Sequence, residues 1–176
     1  MILPTAYLAP PQWYSAYLSN DCCIEAMESF VKQTARNRCI IHDAEGREIR
    51  LTVPVKKVEH KQLTQDILID YTHAWQHQHW MALVSAYGKT PYWDYYADML
   101  QNVYSKQTKY LMDLNDQLTY VIIRLLKNDP TMIPASAMRT TEFANAPLES
   151  FLSGASILNT LMDKGPLTIR HIMAHE

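Results

Sequence analysis

Near residue 70 the hydrophobic periodicity of this chain changes from two to 3.6. That change limits the fold more than any motif does. Before it, short runs rich in Ile, Leu and Val alternate with polar residues or end at turn formers. After it, apolar residues recur at steps of three and four. Strands first and helices after predict an α/β fold.

The first half reads as strands joined by loops. "MILPTAYL" is a short apolar opening suited to a strand, and "CCIEAM" reads as a second buried strand. Between them, "APPQWYSAYLSN" has prolines suited to a loop or a first helical turn, with Trp13, Tyr14, Tyr17 and Leu18 at helical spacing. "RCIIHDAEGREIRLTVPV" predicts a β-hairpin over about 38–53 that turns at "DAEG". Ile49, Leu51 and Val53 alternate with Arg50 and Thr52, which buries one face. Residues 55–65 are polar and read as a loop, and "DILID" at 66–70 reads as a further strand.

The second half predicts a helix over 71–87 stopped by Gly88, and another with Thr90 as N-cap and Pro91 at its first position. The longest apolar stripe joins Tyr110, Leu111, Leu114, Leu118, Val121, Ile122 and Leu125 in a helix over 107–127 that ends at "NDP". Residues 131–147 are irregular, and "ESFLSGASILNTLMDKGP" predicts one more helix. The expected architecture is an N-terminal mixed sheet with its hairpin, followed by a helical C-terminal part. Its 176 residues, 48% of them hydrophobic, form one compact domain over 1–176.

Charge and cysteine content remove several classes. A net charge of −2 argues against a nucleic-acid binder. Cys22, Cys23 and Cys39 make an odd set with an adjacent pair, a poor disulfide framework, and read as small buried residues. No stretch is long and apolar enough to insert in a membrane, and "MILPTAYLAPPQWY" lacks the basic and apolar regions of a signal peptide. A cytoplasmic protein is the expectation. Four glycines, with no P-loop, G-x-G-x-x-G or G-x-S-x-G, remove glycine-rich phosphate loops and the serine elbow. The pattern leaves the cofactor unknown and a homo-oligomer open.

Two segments hold candidate site chemistry. "HAWQHQHW" carries His73, His77 and His79. On a continuous helix His77 and His79 lie about 200° apart, so the trio cannot hold one metal ion. His73 and His77 are i and i+4 neighbours on the side of Trp80, Val84 and Tyr87; His79 shares its side with Trp75, Ala82 and Ala86. The glutamate of H-E-x-x-H is missing, so no metal ligands are assigned. His79, set among aromatic rings and with an ordinary pKa near neutrality, is the candidate general base. "VKQTARNRC" places Lys32, Arg36, Asn37 and Arg38 before the hairpin. Guanidinium forks bind phosphate or carboxylate, so this cluster is the candidate anion site; the plainer reading is a strand end whose arginines pair with surface acids. Asp94 and Asp98, also i and i+4, would suit acid–base work but read first as the acidic first turn of a helix.

Taken in order, "TAYLAPPQWYSAYL", "VKQTARNRC", "LTVPV", "HQHWMALVSAYGKTPYWDYY" and "LSGASILNTLMDKGP" resemble the WbqC-like family. The likeness covers most of the chain and is weakest over 130–147. It implies a bacterial protein linked to surface polysaccharide (O-antigen) genes. Lys32, Arg36, Asn37 and Arg38 match the family's basic motif, and His79 and Tyr87 its helix motif. Thr5 and Ala6 stand where the family commonly has Gln-Pro, and Trp13 where it has glycine. The strand, loop and helix at the start also share a layout with H-x-G-H nucleotidyltransferases, whose histidines this chain lacks.

The resemblance and the basic cluster together imply a transferase acting on an activated sugar or related phosphorylated metabolite. Lys32, Arg36, Asn37, Arg38 and Tyr87 would bind that ligand, and His79 would be the base. Two alternatives stand beside it. One is a non-catalytic partner of a polysaccharide-biosynthesis enzyme, suggested by the abundant Tyr, Trp and Met. The other is a metal-dependent hydrolase.

Overall fold

The structure is a computed structural model that describes residues 2–19, 22–127, 139–140 and 152–174. Its first unit is β–α–β. Strand β1 (Ile2–Pro4) leads into helix α1 (Pro11–Ser19), and β2 (Cys23–Glu25) returns parallel to β1 with Leu3 opposite Ile24. Pro11 at the first helical position loses nothing, because that N–H has no partner within a helix. The aromatic face of α1 seals it to the strand. Trp13 donates from Nε1 to the Pro4 carbonyl at 2.9 Å and stacks on Tyr17 with ring centroids 5.2 Å apart. A third parallel strand, β5 (Arg139–Thr140), pairs with β2.

The hairpin forms as the alternation requires. Strands β3 (Arg38–His42) and β4 (Glu48–Thr52) pair antiparallel with Ile41 opposite Ile49. The turn closes at Asp43, whose carboxylate accepts the backbone N–H groups of Glu45 and Arg47 at 3.0 and 2.8 Å. Gly46 takes a φ of 79°, which an L side chain resists. Among the described residues the hairpin is a sheet of its own, separate from β1-β2-β5.

Helices follow: α2 (Trp75–Tyr87), α3 (Trp93–Tyr104), α4 (Leu111–Lys127), α5 (Leu158–Lys164) and α6 (Thr168–Met173). Helix α4 is the spine of the core, with Leu111, Met112, Leu114, Leu118 and Ile122 fully buried. It also holds the loops that follow the parallel strands. Asn115 donates from Nδ2 to Thr5 Oγ1 at 3.0 Å and to the Arg36 carbonyl at 2.9 Å.

Local details depart from the sequence expectations. The segment 66–70 is no ladder strand: a 3-10 turn at Thr64–Asp66 precedes single bridges, Ile69 to Val55 and Leu68 to Tyr110. Its backbone is shared between the tail of the hairpin and the start of α4, which leaves no run for one partner. Helix α2 begins at Trp75, four residues later than predicted, because Asp70 takes the Thr72 N–H at 2.9 Å and turns the chain. The N-cap of α3 is Tyr92; Thr90 instead donates its hydroxyl to the Tyr87 carbonyl at 2.6 Å. Helix α5 starts only at Leu158, after Gly154 at a φ of 99°. Much of 131–147 lies outside the described residues.

Candidate functional site

Open parallel sheets bind ligands beyond the carboxyl ends of their strands. In this chain a cleft of about 130 Å³ lies there. The loop after β1 contributes Tyr7, Leu8 and Pro10, and the loop after β2 contributes Gln33, Thr34 and Ala35. Arg38, Cys39 and Ile40 enter from β3, while Leu152, Gly154 and Ser156 close the far side. The loops are stitched by backbone bonds: Tyr7 N–H to the Ala35 carbonyl at 2.8 Å, Ile157 N–H to that of Ala9 at 3.0 Å, and Ser156 N–H to that of Ile40 at 2.7 Å.

Three lining residues sit in left-handed conformations. Leu8 has a φ of 47°, Gln33 of 61° and Gly154 of 99°. A non-glycine residue held there costs on the order of 1 kcal/mol, and such strain persists where the surroundings over-determine it.

The four residues of the basic segment have four different surroundings. Lys32 is exposed to solvent. Arg36 is buried and gives its fork to Glu28, with Nε–Oε1 at 2.7 Å and Nη2–Oε2 at 2.6 Å. Asn37 is buried and structural: its Oδ1 accepts the Gln33 N–H at 3.1 Å, and its Nδ2 donates to the Val53 carbonyl at 3.0 Å. Arg38 alone lines the cleft, steadied by a 3.1 Å bond from Nε to Thr52 Oγ1, and no carboxylate among the described residues pairs with it. On an extended segment Arg36 and Arg38, two residues apart, would share one face. The chain is instead turning at Arg36 and becomes a strand only at Arg38.

His79 lies behind the wall of this cleft. It is buried, Trp75 packs edge-on against its ring at 5.1 Å, and its Nδ1 stands 2.8 Å from the Tyr7 hydroxyl. The Tyr7 hydroxyl in turn meets that of Tyr104 at 2.5 Å. Burial pushes the imidazole down to about 4, opposed by a hydrogen bond to the Thr52 backbone. The near-neutral value expected for His79 belongs to a solvated ring. Burial also holds the Tyr7 and Tyr104 hydroxyls well above the usual phenol range. Thr52 therefore touches both candidates, Arg38 by its side chain and His79 by its backbone.

Of the remaining candidates, Tyr87 has structural surroundings. The Tyr87 hydroxyl donates to Asn159 Oδ1, which also accepts the His42 N–H at 3.1 Å. That joins the end of α2 to α5 and β3. Tyr87 lies on the buried side of α2 with His79, and not with His77 as the helical angles suggested. Asp94 and Asp98 are exposed on α3. His73 and His77 are exposed and line another cleft, and among the described residues no three His, Cys, Asp or Glu side chains are grouped to hold a metal ion. Burial pushes the Cys39 thiol up, far from the reactive range.

A comparison with protein families matches the WbqC-like protein family over residues 13–153. The chain belongs to that family. No curated protein and no solved structure matches it. The matched span of this WbqC-like chain includes Arg38, Thr52 and His79, whereas Tyr7, Gly154 and Ser156 lie outside it. Among the described residues no helix is long and apolar enough to cross a membrane.

Sequence reasoning missed Tyr7, Gln33 and Ser156. The signal for Tyr7 was its place just after the first strand of a β–α–β unit, where ligand loops occur. Nothing in the sequence marks Ser156, which lines the cleft and is tied by its backbone to Ile40.

Proposed function

We propose that this WbqC-like protein is a transferase for a small activated metabolite, whose phosphate or carboxylate group is held by Arg38 at the carboxyl end of the parallel sheet. The observation that carries the reading is Arg38, a guanidinium with no carboxylate partner among the described residues, lining a cleft built from strained loops. Clefts that enclose a whole drug-sized ligand run to about 300–1,000 Å³, so 130 Å³ suits one compact anionic group with the rest of the ligand outside. An activated sugar of surface polysaccharide biosynthesis fits this chemistry, and the family supports that choice.

His79 enters this reading as a positioning residue. Neutral at physiological pH, it holds the Tyr7 hydroxyl and with it the Tyr7 wall. A ring pushed to about 4 is a weak base.

Isothermal titration with inorganic pyrophosphate and a panel of nucleoside diphosphate sugars tests the reading. Binding that Arg38→Ala abolishes supports it. If none of the panel binds, or Arg38→Ala binds as well as the parent chain, the reading fails.

A non-catalytic partner role is the second reading. Its observation is Tyr95, a ring of the kind enriched at interfaces, left 76% exposed on α3. Co-purification of a biosynthetic enzyme that Tyr95→Ser releases would favour it.

A further inference from the structure

A second cleft, of about 560 Å³, lies between the start of α2 and the end of α3. Its walls are aromatic. The part-buried rings of Tyr71 and Trp80 line it above the buried Tyr104, and each ring is fixed by a neighbour. Trp80 packs on Trp93 with centroids 5.4 Å apart. The Tyr71 hydroxyl is used on the Thr108 carbonyl at 2.8 Å, and that of Tyr104 on Tyr7. These residues therefore offer ring surface to a ligand more than hydroxyl groups.

The polar side chains of the cleft are amides, imidazoles and the hydroxyls of Thr72 and Ser105. Gln76, Gln101 and Gln107 line it together with His73 and His77, and among the described residues no Lys, Arg, Asp or Glu does. Gln76 is anchored by Nε2 to the Lys106 carbonyl at 2.6 Å, which leaves its Oε1 to accept. An amide both donates and accepts, and so does a hydroxyl group. Among the described residues no Lys or Arg lines this cleft, so the fixed positive charge that Arg38 brings to the first cleft has no counterpart here. The nearby Lys56 and Lys109 line a separate depression that shares only Tyr71, Thr72 and Gln107 with it.

We propose that this cleft is a second binding site, for a neutral ring carrying several hydroxyl groups: a sugar ring or a cyclitol. The ring's C–H faces lie on Trp80 and Tyr71, and its hydroxyls bond to the glutamines and imidazoles. The volume falls within the range of pockets that enclose small ligands. Among the described residues the two clefts share no lining residue, and the Tyr104–Tyr7 hydroxyl bond connects their walls.

The test is a 1H–15N titration of the full chain with methyl glucoside, methyl galactoside and myo-inositol, read at the Trp80 indole signal. At least one neutral ring is expected to shift that signal saturably. His77→Ala and Gln101→Ala, both at exposed positions and harmless to the core, should each weaken binding about tenfold, as the loss of one hydrogen bond requires. Arg38→Ala should leave neutral-ring binding intact even where it abolishes pyrophosphate binding. The proposal falls if none of the three rings shifts the Trp80 signal. It also falls if both cleft variants bind unchanged, or if Arg38→Ala removes the neutral ring.

Discussion

Arg36 meets Glu28 through two parallel bonds, at 2.7 and 2.6 Å, with the arginine side chain 6% and the carboxylate 13% exposed. A fork held in this way is committed. Removing one member of a buried pair leaves the other charge uncompensated. Arg36→Ala should cost about 3 kcal/mol in urea unfolding. Arg38→Ala, two residues on, should cost under about 1 kcal/mol, because it loses only a bond to Thr52. Equal losses in the two variants would contradict these separate roles.

Tyr7→Phe removes the hydroxyl that stands between His79 and Tyr104. Two buried polar groups then lose a partner, at about 1–3 kcal/mol each before relaxation. A drop in stability of about 2 kcal/mol is expected, with the far-UV dichroism unchanged. A fully stable Tyr7→Phe would mean that the hydroxyl contributes nothing to the core.

The His79 imidazole gives stability a defined pH dependence. Its folded value is pushed down to about 4, below the ordinary 6.5. Above pH 6.5 the ring is neutral in both states and adds no pH dependence. Between 6.5 and about 4 the unfolded chain binds a proton that the folded chain refuses, so stability falls as pH falls. The full loss is on the order of 3 kcal/mol and levels off below about 4. Urea unfolding from pH 7.5 to 4.5 should show this slope in the parent chain and a flatter one in His79→Gln. Parallel curves would show that His79 is not the group responsible.

Gly165 caps α5 at a φ of 54°, and a Cβ there would collide with the Tyr92 ring. That ring is stacked on Tyr96 at 5.8 Å and cannot swing away freely. Gly165→Ala should lower stability by about 2 kcal/mol or more, from strain and overpacking together. Gly46→Ala, at a φ of 79° but with open space around its Cβ, should cost only the backbone part, about 1 kcal/mol. Thermal unfolding of the two variants separates the contributions.

The sequence by itself determined the elements whose pattern is local. The hairpin over 38–53 was legible because its alternation and its Asp–Gly turn need no outside partner. The α4 stripe was legible because its apolar residues recur over several turns. The separation of His79 from His77 followed from helix geometry alone, and burial bears it out: His79 is inside and His77 outside. Only the tertiary structure decided the surroundings of the candidate site residues. Arg36 and Arg38 look alike in sequence, but Glu28 reaches one of them and the cleft the other. A side chain's charge is written in the sequence, whereas its partner and its access to water are set by elements far along the chain. Tyr7 and Tyr104, 97 residues apart, meet at His79 for the same reason.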